Sequence, residues 1–152
     1  MKTKLLTLTA VLLAVTAMAF LWTGCDTDKP EIPEGGAAIV IIIGADKYEV
    51  TTENEYVGQV LDELAETEDL VFEFTGTADS QYGRMIDKLG TLIPSGNEFI
   101  AFYSTSDNLQ YSFPEMSVEL EGVTYYSANF GADQMPVMDG VRYYFVLDEA
   151  WW

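Results

Sequence analysis

The chain has 152 residues, with 25 acidic against 7 basic side chains, a net charge of −18 and no histidine. That balance excludes phosphate-backbone recognition, which needs Lys and Arg to displace counterions, and gives no charge-driven adhesion to anionic lipid. With 49% hydrophobic and 13% aromatic residues it can bury a sizeable core, and its length suits one folded domain.

The first residues, MKTK, are basic, and the eighteen that follow, LLTLTAVLLAVTAMAFLW, carry no charge. A short positive region before an apolar run is the pattern of an export signal, although the run is also long enough to be a spanning helix. The flank decides, because CDTDKPEIPE is acidic and proline-containing rather than basic. Thr23 and Gly24 precede Cys25, the single cysteine. Leu21-Trp22-Thr23-Gly24-Cys25 resembles a bacterial lipobox, departing from it at Trp22. A type II signal peptide over 1–24 is therefore expected, with cleavage before Cys25, lipidation of Cys25 and a flexible tether over 25–37. Two other readings keep the export: an ordinary signal peptide that leaves Cys25 free, and an uncleaved anchor. Acylation would use up the last thiol. The folded part, 38–152, would then hold neither disulfides nor a Cys- or His-based zinc site. It would also lack a Ser-His or Cys-His nucleophile. The acidic residues are scattered and form no D-x-[DN]-x-[DN]-G calcium loop, so they read as a solvated surface.

Beyond the tether, AIVIII at 38–43 is β-branched on both faces and predicts a central strand. Residues 44–47 turn, and YEVTT at 48–52 pairs back as a hairpin. Val57, Val60, Leu61 and Leu64 then fall at helical spacing, with Gln59, Asp62, Glu63 and Glu66 facing away. Thr52 with Glu55 three residues on, and Asn54, are the candidate caps, and residues 67–69 end the helix. LVFEFT at 70–75 predicts a strand with Leu70, Phe72 and Phe74 on one face. GTADSQYG reads as a loop, 82–86 as a short extended piece and DKLGTLIPSGN as irregular. EFIAFYS at 98–104 predicts a strand. Residues 111–113 and 117–120 are candidate edge strands, and Glu121-Gly122 turns into a strand over 123–126. A final strand is expected at 141–147, VRYYFVL, in which one of Tyr143 and Tyr144 belongs to the core and the other covers a sheet face. Trp151-Trp152 closes the chain, either packed on the sheet or in contact with a partner or ligand. A hairpin, one helix and several strands give an α+β class, with one helix on a mostly antiparallel mixed sheet, close to the β-grasp arrangement.

Three segments in this order, VGQVLDELAE, YGRMIDKLGTLIPSGNEFIAFYSTSD and FGADQMPVMDGVRYYFVL, give the chain a family likeness. It resembles the bacterial single-domain relatives of the transcobalamin and intrinsic-factor C-terminal β-domain, over roughly residues 38–147. It departs from them where the aromatic strand often carries Trp and leads into Asn-Gly. Here Phe99-Ile100-Ala101-Phe102-Tyr103 runs into Ser104-Thr105-Ser106-Asp107. The vitamin-binding members add an all-helical domain, which is not expected here. The resemblance implies binding of a corrinoid or another flat, semi-polar ligand on one sheet face and its loops. Without histidine, cobalt could not be held through imidazole, and a corrinoid would be gripped by stacking and backbone contacts.

The aromatic supply supports such contacts: Tyr82, Phe102, Tyr103, Tyr111, Tyr125, Tyr126, Tyr143, Tyr144 and Trp151, since Tyr and Trp stack and donate a hydrogen bond at once. The candidate ligand-binding set is Tyr82, Phe102, Tyr103, Tyr111 and Trp151. No cofactor is required on this reading, and no motif selects a carboxylate pair for glycoside hydrolysis, so catalysis is not expected. Two function classes remain. One is a lipid-anchored capture protein that passes a small ligand to a membrane transporter. The other is a surface adhesion or interaction module with a protein or glycan partner. A concave aromatic pocket favours the first, and a flat or convex face the second.

Overall fold

A computed structural model describes residues 30–110 and 116–149. Strand β1 (Ala37–Ile43) and β2 (Asp46–Thr52) form an antiparallel hairpin across Gly44-Ala45. Gly44 sits at φ 58, a left-handed turn conformation that a residue with a Cβ resists. Its N–H donates to the Phe145 carbonyl at 2.9 Å, tying the turn to the next strand of the sheet. Helix α1 (Val57–Thr67) follows, then β3 (Phe72–Thr75), β4 (Met85–Leu89), β5 (Glu98–Ser104), a short 3-10 turn, β6 (Ser117–Leu120), β7 (Val123–Ser127) and β8 (Arg142–Glu149). Six strands form one sheet in the order β2-β1-β8-β5-β7-β6, and β3 with β4 makes a separate hairpin. Only the β1–β8 pair is parallel among the named pairings. Among the described residues the result is one helix on a mostly antiparallel mixed sheet. Among the described residues no helix is long and apolar enough to cross a membrane.

The continuous Ile/Val run is explained by the two faces it serves. Ile39, Ile41 and Ile43 join Tyr143 and Phe145 beneath Val57, Val60, Leu61 and Leu64 of the helix. Val40 and Ile42 fall on the other face with Ala101, Tyr103, Tyr125, Tyr144 and Val146. Each of the buried helix side chains contributes about 1.5–3 kcal/mol by leaving water. Tyr143 and Tyr144 divide as alternation requires. Tyr143 is fully buried in the helix-side core, and its hydroxyl donates to the Pro136 carbonyl (2.7 Å) while accepting from the Met138 N–H (2.9 Å). Ile32, upstream of β1, packs against the same core, and β1 starts at Ala37.

Several local expectations are corrected. The helix is not capped by Thr52 or Asn54. Tyr56 holds the N-cap position in extended conformation, and the Gln59 side-chain oxygen accepts from the N–H groups of Glu55 and Tyr56 at 3.0 Å each. The Val57 and Gly58 N–H groups donate to the carbonyls of Met135 (2.9 Å) and Ala132 (2.8 Å). Backbone from a distant loop thus satisfies donors that a side-chain cap normally takes. Leu70 precedes β3 and packs into the core, and a register shift between Glu73 and Phe74 breaks the simple alternation. The extended piece expected at 82–86 is displaced to Met85–Leu89, because pairing with β3 recruits Asp87, Lys88 and Leu89 from the stretch read as irregular. The final strand runs Arg142–Glu149 rather than 141–147. The edge strand expected at 111–113 lies outside the described residues.

Two tyrosines carry a pH signature. Burial pushes the Tyr103 hydroxyl up to about 12, aided by the Asp148 carboxylate that accepts its hydrogen bond at 3.1 Å. Burial also takes Tyr143 up to about 12, against the lowering effect of the Met138 N–H. A raised folded-state value means that this stability is whole below the ordinary tyrosine range near 10 and is lost as pH climbs through about 12. An alkaline titration followed by tyrosinate absorbance and far-ultraviolet dichroism should show Tyr103 and Tyr143 ionising only as the fold is lost. Ionisation of every tyrosine with no loss of fold would contradict this assignment.

Candidate functional site

The arrangement on the helix side of the sheet is organised by Arg84, one of two arginines in the chain. Its guanidinium reaches the helix and the loop after β7 together. Nη1 and Nη2 donate to the Asp62 carboxylate at 2.7 and 2.9 Å, and Nη2 also donates to Asp133 at 2.7 Å. Nε donates to both Asp133 oxygens at 3.1 Å, and the Arg84 backbone N–H donates to Asp133 at 2.6 Å. The planar group lies over the Phe74 ring (4.3 Å to its centre) and near the Phe72 ring (5.1 Å), so both rings of β3 help hold it. Arg84 and Asp133 are 9% and 5% exposed, whereas Asp62 is 46% exposed. Burial pulls the Asp133 carboxyl upward, but the hydrogen bonds and charge of Arg84 outweigh it and hold the group below the ordinary carboxylate range. The two carboxylates hold the Arg84 guanidinium strongly on the charged side. Gly58 makes this packing feasible, since a Cβ there would collide with the Asp133 carboxylate. The cluster binds hairpin, helix and loop to one another; with one guanidinium against two carboxylates it stays net negative and leaves no unpaired cation for a ligand.

Beside it opens a cleft of about 750 Å³, lined by Tyr82, Met85, Glu98, Phe99, Ile100 and Phe102 among others. Its walls are the β3–β4 hairpin with its loop on one side and β5 on the other. Tyr82 on the loop is 77% exposed and Met85 at the start of β4 is 71% exposed, unusual for large side chains on backbone that is held in place. The loop is braced: the Gln134 amide donates to the Gln81 carbonyl (2.6 Å) and the Ser80 hydroxyl to the Gly83 carbonyl (2.7 Å). Gly131 lies against the Tyr82 carbonyl, where a Cβ would come to 2.8 Å.

Of the sequence-derived ligand set, Tyr82 and Phe102 line this cleft together. Tyr103 does not join them. It belongs to the cluster on the opposite face of the sheet, 5% exposed, with its hydroxyl engaged by Asp148. Tyr111, Trp151 and the lipidation candidate Cys25 lie outside the described residues. Sequence reasoning missed Met85 and Phe99, which border the cleft, and the Arg84–Asp133 pair beside it. A methionine following Tyr-Gly-Arg, just past a polar loop, was the available signal for Met85.

No protein-family model matches the chain. No curated protein matches it. Among solved structures, one from Ruminococcus gnavus ATCC 29149, described as a "putative metal binding protein", shares 20% identity with this chain. The match covers 76% of this chain and 97% of that one, with a TM-score of 0.48. So distant a likeness transfers no activity. Among the described residues no group of three or more His, Cys, Asp or Glu side chains is placed to hold a metal ion.

Proposed function

We propose that the chain is an exported binding protein, anchored to the membrane by lipid on Cys25, that captures a flat, semi-polar ligand in the cleft between Tyr82 and Phe102. The observation that carries this reading is Tyr82, an aromatic residue left largely exposed on a braced loop that lines a concave site. A volume of about 750 Å³ falls within the range of small-molecule sites, and an apolar lining with a few polar groups is their usual chemistry. A corrinoid passed on to a membrane transporter is the ligand implied by the likeness to the transcobalamin C-terminal domain. The topology supports a β-grasp-like reading of the fold: a hairpin, a helix, and a last strand lying parallel to the first inside the sheet.

Titration of the purified chain with cobinamide and cobalamin, followed by calorimetry, is the test. Saturable micromolar binding that falls about tenfold in Tyr82→Ala, the loss of one stacking contact of about 1–1.5 kcal/mol, supports corrinoid capture. No binding at millimolar ligand removes the corrinoid. The anchor has its own test. Growth with an alkyne-tagged fatty acid should label the wild-type chain and leave Cys25→Ala unlabelled and released from membranes. A labelled Cys25→Ala chain would end the lipoprotein reading. The second reading, a module that engages a protein partner, is favoured by the strand edge that runs along the cleft.

A further inference from the structure

β8 pairs with β5 along its whole length, from Glu98 to Ser104. On the other side β7 pairs only at Tyr103 and Ser104. Among the described residues, the edge of β5 from Glu98 to Ala101 away from β8 therefore carries no strand. The Phe102 carbonyl accepts from the Ala128 N–H at 2.8 Å, which fixes the orientation of the edge. Backbone groups alternate along a strand, so Ile100 and Glu98 turn their N–H and C=O groups to the same side as the Phe102 carbonyl, where no strand pairs with them. The Glu98 N–H closes locally on Ser95 at 3.0 Å. Ile100 stands in the middle of the open stretch, inside the cleft lining. The facing wall is also a strand, since Met85, Ile86 and Asp87 of β4 line the cleft and β4 pairs with β3 on one side only.

We infer that the cleft accepts an extended peptide segment of a partner protein, added as a strand to the free edge of β5, with apolar side chains at alternate positions and Lys or Arg flanking them. An unpaired edge recognises backbone at a fixed spacing, and pockets for alternate side chains supply selectivity. Natural sheets shield such edges with lysine or proline; among the lining residues there is no lysine and one proline, Pro94. Exposed Tyr82, Met85 and Phe99 stand ready to cover the added strand. The charge of the site selects a basic flank. Asp87 and Glu98 line the cleft, the one cation there, Arg84, is already paired with Asp62 and Asp133, and the whole chain is at −18. This inference rests on the cleft being the binding site, not on the identity of any small molecule.

The test is selection of binders from a displayed library of random peptides on the full chain. The best binder is then resynthesised with N-methyl groups on alternate residues, in each of the two registers. The expected result is enrichment of alternating apolar residues with Lys or Arg. One N-methyl register should weaken binding by about tenfold or more while the other does not, as loss of edge hydrogen bonds requires. Amide hydrogen exchange at Ile100 should slow when the peptide is added. Failure to select any binder overturns the inference, as does binding indifferent to both N-methyl registers. The two readings fail separately. Cobinamide binding that is lost in Tyr82→Ala, with no peptide selected, keeps the cleft as the site and removes the strand. Selected peptides that ignore Tyr82→Ala and protect amides elsewhere remove the strand at β5, and only absence of cobinamide binding as well removes the cleft.

Discussion

Arg84→Ala should cost about 3–5 kcal/mol in urea unfolding, the penalty for stranding a buried charge by removing its partner. The group left behind is Asp133, which is almost wholly buried and has the Arg84 side chain and N–H as its partners. Since domains are stable by only about 5–15 kcal/mol, this variant sits near the limit of folding. Asp133→Ala should be nearly as severe, because it leaves the guanidinium half paired. Asp62→Ala should cost about 1 kcal/mol or less, because Asp62 is half exposed and water screens its share. Arg84→Lys should not rescue, since a point ammonium cannot span two carboxylates and lie flat on two rings. The pair also sets acid behaviour. The carboxyl of Asp133 is held below its ordinary range, so its contribution is present above about pH 4 and disappears as pH falls through the lowered value. Wild type and Asp133→Asn should therefore converge in stability in acid and separate as pH rises. Equal costs for Asp62→Ala and Asp133→Ala would refute this account of the cluster.

Phe145→Ala should cost about 3–5 kcal/mol, the range for emptying a buried aromatic site. Phe145 is fully buried in β8, between β1 and β5, with an edge-on contact to Phe102 at 5.3 Å between ring centres. The sheet backbone on both sides is tied by register, so little collapse into the void is available. Phe99→Ala on the same sheet should cost about 0.5 kcal/mol or less, as for surface positions generally, because that ring is already exposed. The pair separates a core from a cleft: Phe145→Ala should lower the unfolding midpoint, and Phe99→Ala should leave it in place and lower ligand affinity alone. A Phe145→Ala protein as stable as wild type would mean that the helix-side core is not built as described.

Much of the fold was legible because it is locally encoded. The stripe Val57, Val60, Leu61, Leu64 is a property of one short segment, and it buries as the periodicity demands. The strands at Glu98–Ser104 and Ser117–Leu120 have the expected bounds, set by neighbouring turn residues. What was not legible depends on partners far away in sequence. Arg84 meets Asp62 at a separation of 22 residues and Asp133 at 49, and nothing in either segment announces the other. The helix start is set by carbonyls of Ala132 and Met135, which are main-chain groups and leave no side-chain trace. Alternation separated Phe102 from Tyr103, yet it could not say which face has a cleft, because that depends on where β3 and β4 fold back. Tyr82 was legible as an aromatic in a polar loop; Met85 and Phe99 became visible only once the loop and the edge of β5 faced each other.

The pairing of β1 with β8 has a consequence for how the chain acquires its shape. Val40 lies beside Arg142 and Ile43 beside Phe145, so neighbours in the middle of the sheet come from opposite ends of the folded region. No early portion of the polypeptide contains its own finished centre. Closing so long a loop comes before the contacts that reward it, and topologies dominated by such distant pairings fold in about milliseconds to seconds rather than microseconds. The nascent chain therefore stays uncommitted until nearly its last strand has been made. For a protein proposed here to be exported, that delay keeps the polypeptide threadable through a translocation pore for most of its synthesis.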